Sequence, residues 1–180
     1  DPEVFDYFPE AAMIPLTLYN YDSDTGKTSK TYYGLPDKMD FSMMFYRKDI
    51  LADLGLEIPK TWDDLLAMIP VLQYNNMEIG IQKDIYTFIH QSENQVYSND
   101  GMTINFDDVG VLKAFTKLCN MFTQYSFPYK YEAANRFRTG EMPIIISDYT
   151  ALYNKLKVFA TELEGAWAFV PLPGVVNKET

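Results

Sequence analysis

Apolar and polar positions alternate at two different periods along this chain, and the switches between them mark its elements. In "MDFSMMFYRKD", Phe41, Met43 and Phe45 alternate with Ser42, Met44 and Tyr46. Period two predicts a strand, and apolar side chains on both faces predict that it is buried. A short helix is expected from Lys48 to Leu54, stopped by Gly55 just past its end. In "PKTWDDLLAMIPVLQYN", Thr61 is the expected N-cap, and Asp63 and Asp64 lie in the first turn, where the helix dipole favours negative charge. Leu65, Ile69 and Leu72 share one face. Pro70 should end or kink this helix, because it has no N–H to donate to the carbonyl of Leu66.

"EIGIQ" predicts a short strand, and "KDIYTFIHQ" a helix capped by Asp84 with Ile85, Phe88 and Ile89 inward. "QVYSNDGMTIN" predicts a hairpin turning at Asn99-Asp100-Gly101. The strongest helical pattern is "DDVGVLKAFTKLCNMFTQY", where Leu112, Phe115, Cys119 and Phe122 recur at spacings of three and four and are the expected buried stripe. A short helix ending at Gly140, a strand Pro143–Ile146, a helix Tyr149–Phe159 and a last strand in "AWAFVPLPG" complete the series. Residues 1–38 are expected to be irregular, with a tight reversal at Asp24-Thr25-Gly26. Strands alternating with helices predict an α/β fold, a sheet with helices on both faces.

Length and composition narrow this. The chain has 180 residues, enough for one domain with a real core or two very small ones. Apolar residues are 47% and charged residues 22%, which describes a globular chain. The net charge of −10 disfavours nucleic acid and anionic lipid as partners. No apolar run reaches the 18 residues or so that would mark a membrane span. The first residues, "DPEVFDYFPEAAM", contain no initiator Met, basic n-region or apolar core, so an exported parent would carry its signal elsewhere.

The inventory of reactive groups is small. One cysteine, Cys119, excludes an internal disulfide framework, and its place in the apolar stripe marks it as an inert core thiol. One histidine, His90, is expected at a helix surface or end. Asp22-x-Asp24-x-Gly26 resembles the start of a calcium loop but lacks the later ligands, so a solvated hairpin loop is expected. No Gly-rich phosphate motif and no G-x-S-x-G are present.

Position is more informative than motif. Ligands of open α/β sheets bind outside the carboxyl ends of the strands. Two segments arrive there: Gln82-Lys83-Asp84 with Tyr86, and Ser147-Asp148-Tyr149. If their strands are parallel neighbours, these side chains form a polar, aromatic-flanked shelf suited to a sugar-like solute. Asp84 and Asp148 each precede a helix, and capping competes with ligand binding as their role.

"YYGLP", "MMFYRKDILADLGLEIPKTWDDLL", "NRFRTGEMPIIISDYTALYNKL" and "GAWAFVPLPG" together resemble the extracellular solute-binding proteins of bacterial ABC importers, over Tyr33 to Gly174. The carbohydrate-type group, which includes maltose-binding protein, is the nearest in pattern. The resemblance implies a periplasmic-binding-protein type II fold, two α/β lobes closing on a small polar solute, and a membrane permease as partner. It implies that this chain is chiefly the second lobe, at residues 39–170. Residues 1–38 would approach from the first lobe, and residues 171–180 would leave toward it. It implies a monomer without cofactor or catalysis, located outside the cell or in the periplasm, with a lipid anchor on the parent. Asp40 matches a carboxylate position of the family, and Asp84 with Tyr86 matches a Glu-x-Tyr that contacts sugar hydroxyls. The stacking tryptophan falls near Tyr149 or Thr150, where this chain has none. Trp62 and Trp167 are expected in core or hinge packing. The expected contacts are thus Asp40, Gln82, Asp84, Tyr86, Ser147, Asp148 and Tyr149. Two alternatives stand beside this: a glycoside-processing enzyme using Asp84 and Asp148, and a surface interaction module.

Overall fold

The computed structural model describes residues 2–37, 40–92, 94–98 and 103–175. The chain divides into two compact units, one up to Asp40 and one from Phe41 onward.

The first unit contains a short helix α1 (Glu10–Met13) and a hairpin of β1 (Thr17–Asp22) and β2 (Lys27–Tyr32). An irregular segment was expected here. Its strands escape a hydrophobic-pattern reading because they are almost wholly exposed, with no buried face to impose alternation. The reversal is held by Asp22. Its carboxylate accepts from the backbone N–H of Asp24 at 2.9 Å and the hydroxyl of Thr25 at 2.7 Å, while Gly26 turns with φ +66°. These bonds, the Thr25 hydroxyl first, lower the Asp22 carboxyl below its ordinary range. Asp22 is therefore committed to the turn. Among the described residues no group of three or more His, Cys, Asp or Glu could hold a metal.

The second unit is built on a four-stranded sheet of order β4-β5-β3-β6. Its strands are β3 (Ser42–Arg47), β4 (Ile79–Ile81), β5 (Ile144–Asp148) and β6 (Trp167–Val170). β4 and β5 are parallel, and β3 runs antiparallel to both β5 and β6. The pleat sends alternate residues into two cores. Met44, Tyr46, Ile79, Ile81, Ile144 and Ile146 pack under α3 (Trp62–Ala67), α4 (Ile69–Tyr74), α5 (Ile85–Gln91) and α6 (Val109–Thr123). Phe45 and Ile145 point the other way, onto Phe137, Leu152 and Leu156 of α7 (Ala133–Thr139) and α8 (Tyr149–Phe159). The central strands are apolar on both faces because both faces are covered.

Local signals explain most helix ends. Thr61 and Asp64 form a reciprocal capping box on α3. The break between α3 and α4 falls at Met68, with Pro70 in the first turn of α4, where its missing N–H costs nothing. α2 (Lys48–Asp53) closes in a Schellman arrangement: Leu56 N–H donates to Leu51 O at 2.8 Å and Gly55 N–H to Ala52 O at 3.1 Å, with Gly55 at φ +65°. Gly140 ends α7 at φ +85°.

Two expectations change, and the turn of a third lies outside the described residues. The buried stripe of α6 is Val111, Ala114, Leu118 and Met121. Leu112 and Phe115 are more than half exposed, and Cys119 is half-buried. Two apolar stripes sit side by side on this helix, and packing under the sheet selected the smaller-residue one. The strand ending at Ile146 in the expected reading runs on through Asp148, paired opposite Ser42 and Met43. The turn of the 95–105 hairpin lies outside the described residues. Its flanks pair, through a Tyr97–Ile104 bridge and Asn105 N–H to Val96 O at 2.8 Å.

A buried arginine joins strand to helix. Arg47, 8% exposed, grips Asp49 with two bonds at 2.8 and 2.6 Å. Its remaining nitrogen donates to the carbonyls of Phe137 at 3.1 Å and Arg138 at 3.2 Å, satisfying the C-terminal end of α7. The Arg47 hydrogen bonds hold the Asp49 carboxyl below its usual range.

Candidate functional site

The carboxyl ends of parallel strands β4 and β5 lie side by side, Ile81 opposite Ile146. The residues that follow them, Gln82 and Ser147, are therefore neighbours. Ser42, at the start of β3, lies across β5 and completes a polar group. Its hydroxyl donates to Gln82 Oε1 at 3.3 Å, and Gln82 Nε2 donates to Ser147 Oγ at 3.5 Å, the outer limit of a hydrogen bond. One amide thus spans two hydroxyls from two other strands, and all three side chains are half-buried. Neither hydroxyl nor amide exhausts its capacity in this chain of bonds, so donors and acceptors remain for a solute.

Asp84 is the N-cap of α5: its carboxylate accepts from Tyr86 N–H at 2.9 Å and Thr87 Oγ1 at 2.8 Å. Both oxygens are engaged in holding the helix. Asp148 stands in the N-cap position of α8 but makes no side-chain cap bond. The cap that was one of the two roles expected of Asp148 is not made, the residue still belonging to β5; the first N–H of α8, on Tyr149, donates to Phe41 O at 2.8 Å. Asp148 is thereby left without a capping task.

An aromatic cluster adjoins the polar group. Phe41 and Tyr149 stack almost parallel, with centroids 5.2 Å apart and planes at 7°. Phe169 meets Tyr149 edge-on at 4.9 Å, and Tyr153 packs at 5.2 Å. Trp167 lies deeper in this cluster against Phe45, Phe137 and Tyr153. Trp62, 1% exposed, donates its indole N–H to Gln91 Oε1 at 2.7 Å, a core role as expected.

The remaining expected residues are distributed more widely. Tyr86 is exposed on α5, its ring 6.4 Å from that of exposed His90. Lys83 carries its ammonium 3.5 Å from the centre of the Tyr129 ring, a cation–π contact. Asp40 is the last residue of the first unit. Ser42 and Phe41 had escaped the sequence reading. The one available signal was a hydroxyl interrupting the apolar start of a buried strand, and it was read as alternation.

A separate apolar groove of about 330 Å³ lies between α5 and α6, lined by Ile89, Val96, Phe106, Leu112 and Phe115 among others. It exists because the second stripe of α6 faces outward.

The sequence model of the bacterial extracellular solute-binding proteins matches residues 1–180. No curated protein matches this chain in sequence. Among solved structures, maltose-bound MalE3 of T. maritima superposes with a TM-score of 0.74 at 19% identity, over 97% of this chain and 46% of that one. The sugar-binding protein MalE of Xanthomonas citri gives 0.66 at 23% identity, over 97% and 47%. A solute-binding protein of Thermotoga lettingae bound to α-D-tagatose gives 0.64 at 20% identity, over 77% and 40%. At such identities the likeness establishes the fold: a mixed sheet flanked by helices, as in these binding proteins. The chain spans less than half the length of each. By the match along all of its residues, it belongs to the bacterial extracellular solute-binding proteins.

Proposed function

We propose that this chain is one lobe of a binding protein that captures a carbohydrate or similar small polar solute for an ABC importer. In this reading residues 39–170 form the lobe, with residues 1–38 and 171–180 leading from and to a companion lobe. The observation that carries it is the Ser42–Gln82–Ser147 group at the carboxyl ends of β4 and β5, set beside the Tyr149 ring. Neutral donors and acceptors can fix hydroxyl groups, and ring faces can receive C–H surfaces. Asp148, free of a capping bond, supplies an acceptor at the same strand end. Asp84 and Tyr86 on α5, with Asp40 ahead of β3, complete the proposed contact set. The superposed proteins include a sugar-binding protein and proteins bound to maltose and to α-D-tagatose, and the same ligand class is proposed here. Closure of two lobes on the solute would supply the differential contacts that signal to a permease. The protein would act outside the cell membrane as a monomer, without catalysis.

Calorimetry on the full-length protein with maltose, maltotriose, tagatose and chitobiose tests this. Binding of at least one is expected, weakened by Gln82→Ala, Asp148→Ala and Tyr149→Ala. Absence of binding by every sugar, or affinity unchanged in all three variants, would overturn it. The 180-residue chain alone should bind weakly or not at all, since half the contacts are missing.

The groove between α5 and α6 favours a second reading, a surface interaction module. Self-association on sedimentation, abolished by Leu112→Glu and Phe115→Glu with no sugar bound, would put it first.

A further inference from the structure

We propose that Gln91 is a positioning residue: by tying residues 171–174, which leave the lobe after β6, to the end of α5, it couples the direction of that exit segment to the strand end where α5 begins. This rests on the solute-binding reading above and adds to it a link between the solute site and the route toward the companion lobe.

The exit segment is pinned soon after β6 ends. Gly174 N–H donates to Lys60 O at 2.8 Å, and Trp62 N–H donates to Gly174 O at 3.2 Å, so the segment runs as a parallel bridge beside Thr61. Pro171 and Pro173 have fixed φ and no N–H, which makes the segment stiff and poor in bonds of its own. The carbonyl of buried Pro173 is met by a side chain: Gln91 Nε2 donates to it at 2.9 Å. The other half of the same amide, Oε1, accepts the indole N–H of Trp62 at 2.7 Å. An indole N–H only donates and a proline carbonyl only accepts, so the orientation of the amide is fixed. Trp62 is itself held, its ring centroid 4.7 Å from that of Phe88 and 5.7 Å from the Lys117 ammonium. One side chain thus joins α5, α3 and the exit segment.

α5 carries this tie back to the solute site. It has seven residues, about 10 Å of helix, with Phe88 and Ile89 keyed into the core. Asp84 locks its first turn through Tyr86 and Thr87. Gln82, just before that cap, holds Ser42 and Ser147. A short capped helix moves as a unit, so a displacement at Gln82 reaches Pro173 through Gln91. In a jaw that closes by bending its crossing segments, a loose exit segment multiplies unproductive arrangements, and a tethered one has fewer to lose when the jaw closes.

The tests are Gln91→Met and Gln91→Glu in the full-length protein, titrated calorimetrically at about pH 7.5 and about pH 4.5 with whichever of maltose, maltotriose, tagatose and chitobiose binds wild type. Methionine keeps the side-chain length and loses both bonds; it should weaken binding about fivefold or more at both pH values. The ionised glutamate still accepts from Trp62 but has no proton for Pro173, and should weaken binding as much at the higher pH. Burial beside a carbonyl favours its protonation, after which it donates to Pro173 again. At the lower pH it should therefore return to within about twofold of wild type, a recovery that general loss of structure does not produce. His90 on α5, Asp63 on α3 and Lys117 on α6 are the charged or titratable neighbours of Gln91 and Trp62, and referring each variant to wild type at the same pH cancels their titration. If wild type binds a sugar and both variants stay within about twofold of it at the higher pH, or the glutamate variant does not recover at the lower, the coupling is overturned while the solute-binding reading survives. If no sugar binds wild type, both fall. Should the methionine variant fail to fold, the glutamate variant decides.

Discussion

Asp148 stands opposite Ser42 in antiparallel register, as the last residue of β5, and its side chain makes no cap bond to the helix that begins one residue later. Asp84, in the corresponding place after β4, caps its helix with two bonds. Two carboxylates with the same sequence context therefore have different tasks. Asp84→Ala should cost about 1 kcal/mol of stability, largely restored in Asp84→Ser, because a hydroxyl also caps. Asp148→Ala should change stability by less than about 0.5 kcal/mol. Urea denaturation of the three variants measures this.

The face of α6 that packs on the sheet can be read by truncation. Leu118, 9% exposed, should cost about 2–5 kcal/mol as alanine, and Phe115, 54% exposed, less than about 1 kcal/mol despite its larger side chain. The order would reverse if the stripe containing Phe115 and Cys119 were the buried one.

Arg47 binds Asp49 and the end of α7 while nearly excluded from water. Arg47→Ala should cost about 1–3 kcal/mol, since it removes the partner of the part-exposed Asp49 and the donor to the Arg138 carbonyl, while Phe137 O keeps the N–H of Gly140. Because the Asp49 carboxyl is held below its ordinary value of 3.8 in the folded chain, its contribution is present above that pH and is lost as pH falls through the lowered value. Asp49→Asn should flatten this part of the acid limb in a plot of stability against pH.

Gly80 lies under the Tyr131 ring, and a methyl group there would meet three of its atoms at 3.0 Å. Gly80→Ala should destabilise by about 1–3 kcal/mol, with partial recovery in Gly80→Ala/Tyr131→Ala. Burial pushes the Tyr131 phenol up to about 12 from 10.0. The unfolded chain therefore ionises first, and stability falls as pH rises from 10 toward 12. Tyr131→Phe should remove that decline, which alkaline denaturation curves would show.

Much of the fold was legible because its signals are local. Thr61, Gly55, Pro70 and Gly140 set helix ends through their own backbone preferences, and α8 begins and ends at the predicted Tyr149 and Phe159. The double-sided apolar pattern of β3 announced burial between two helix layers. The failures came where two local answers were equally good. α6 carries two apolar stripes one residue apart, and period alone cannot choose between them. The β1–β2 hairpin has no buried face, so no pattern marked it.

For the candidate site the division is similar. Sequence alone determined that Gln82, Ser147, Asp148 and Tyr149 lie where a strand gives way to a helix, since strand and helix periods switch there. Only the tertiary structure decided that β4 and β5 are parallel neighbours, that Ser42 reaches Gln82 across β5, and that Phe41 lies on Tyr149. Those relations join residues 40 to 108 positions apart. They depend on strand order and register, which are fixed by how both faces of the sheet are buried, and no local pattern carries that information.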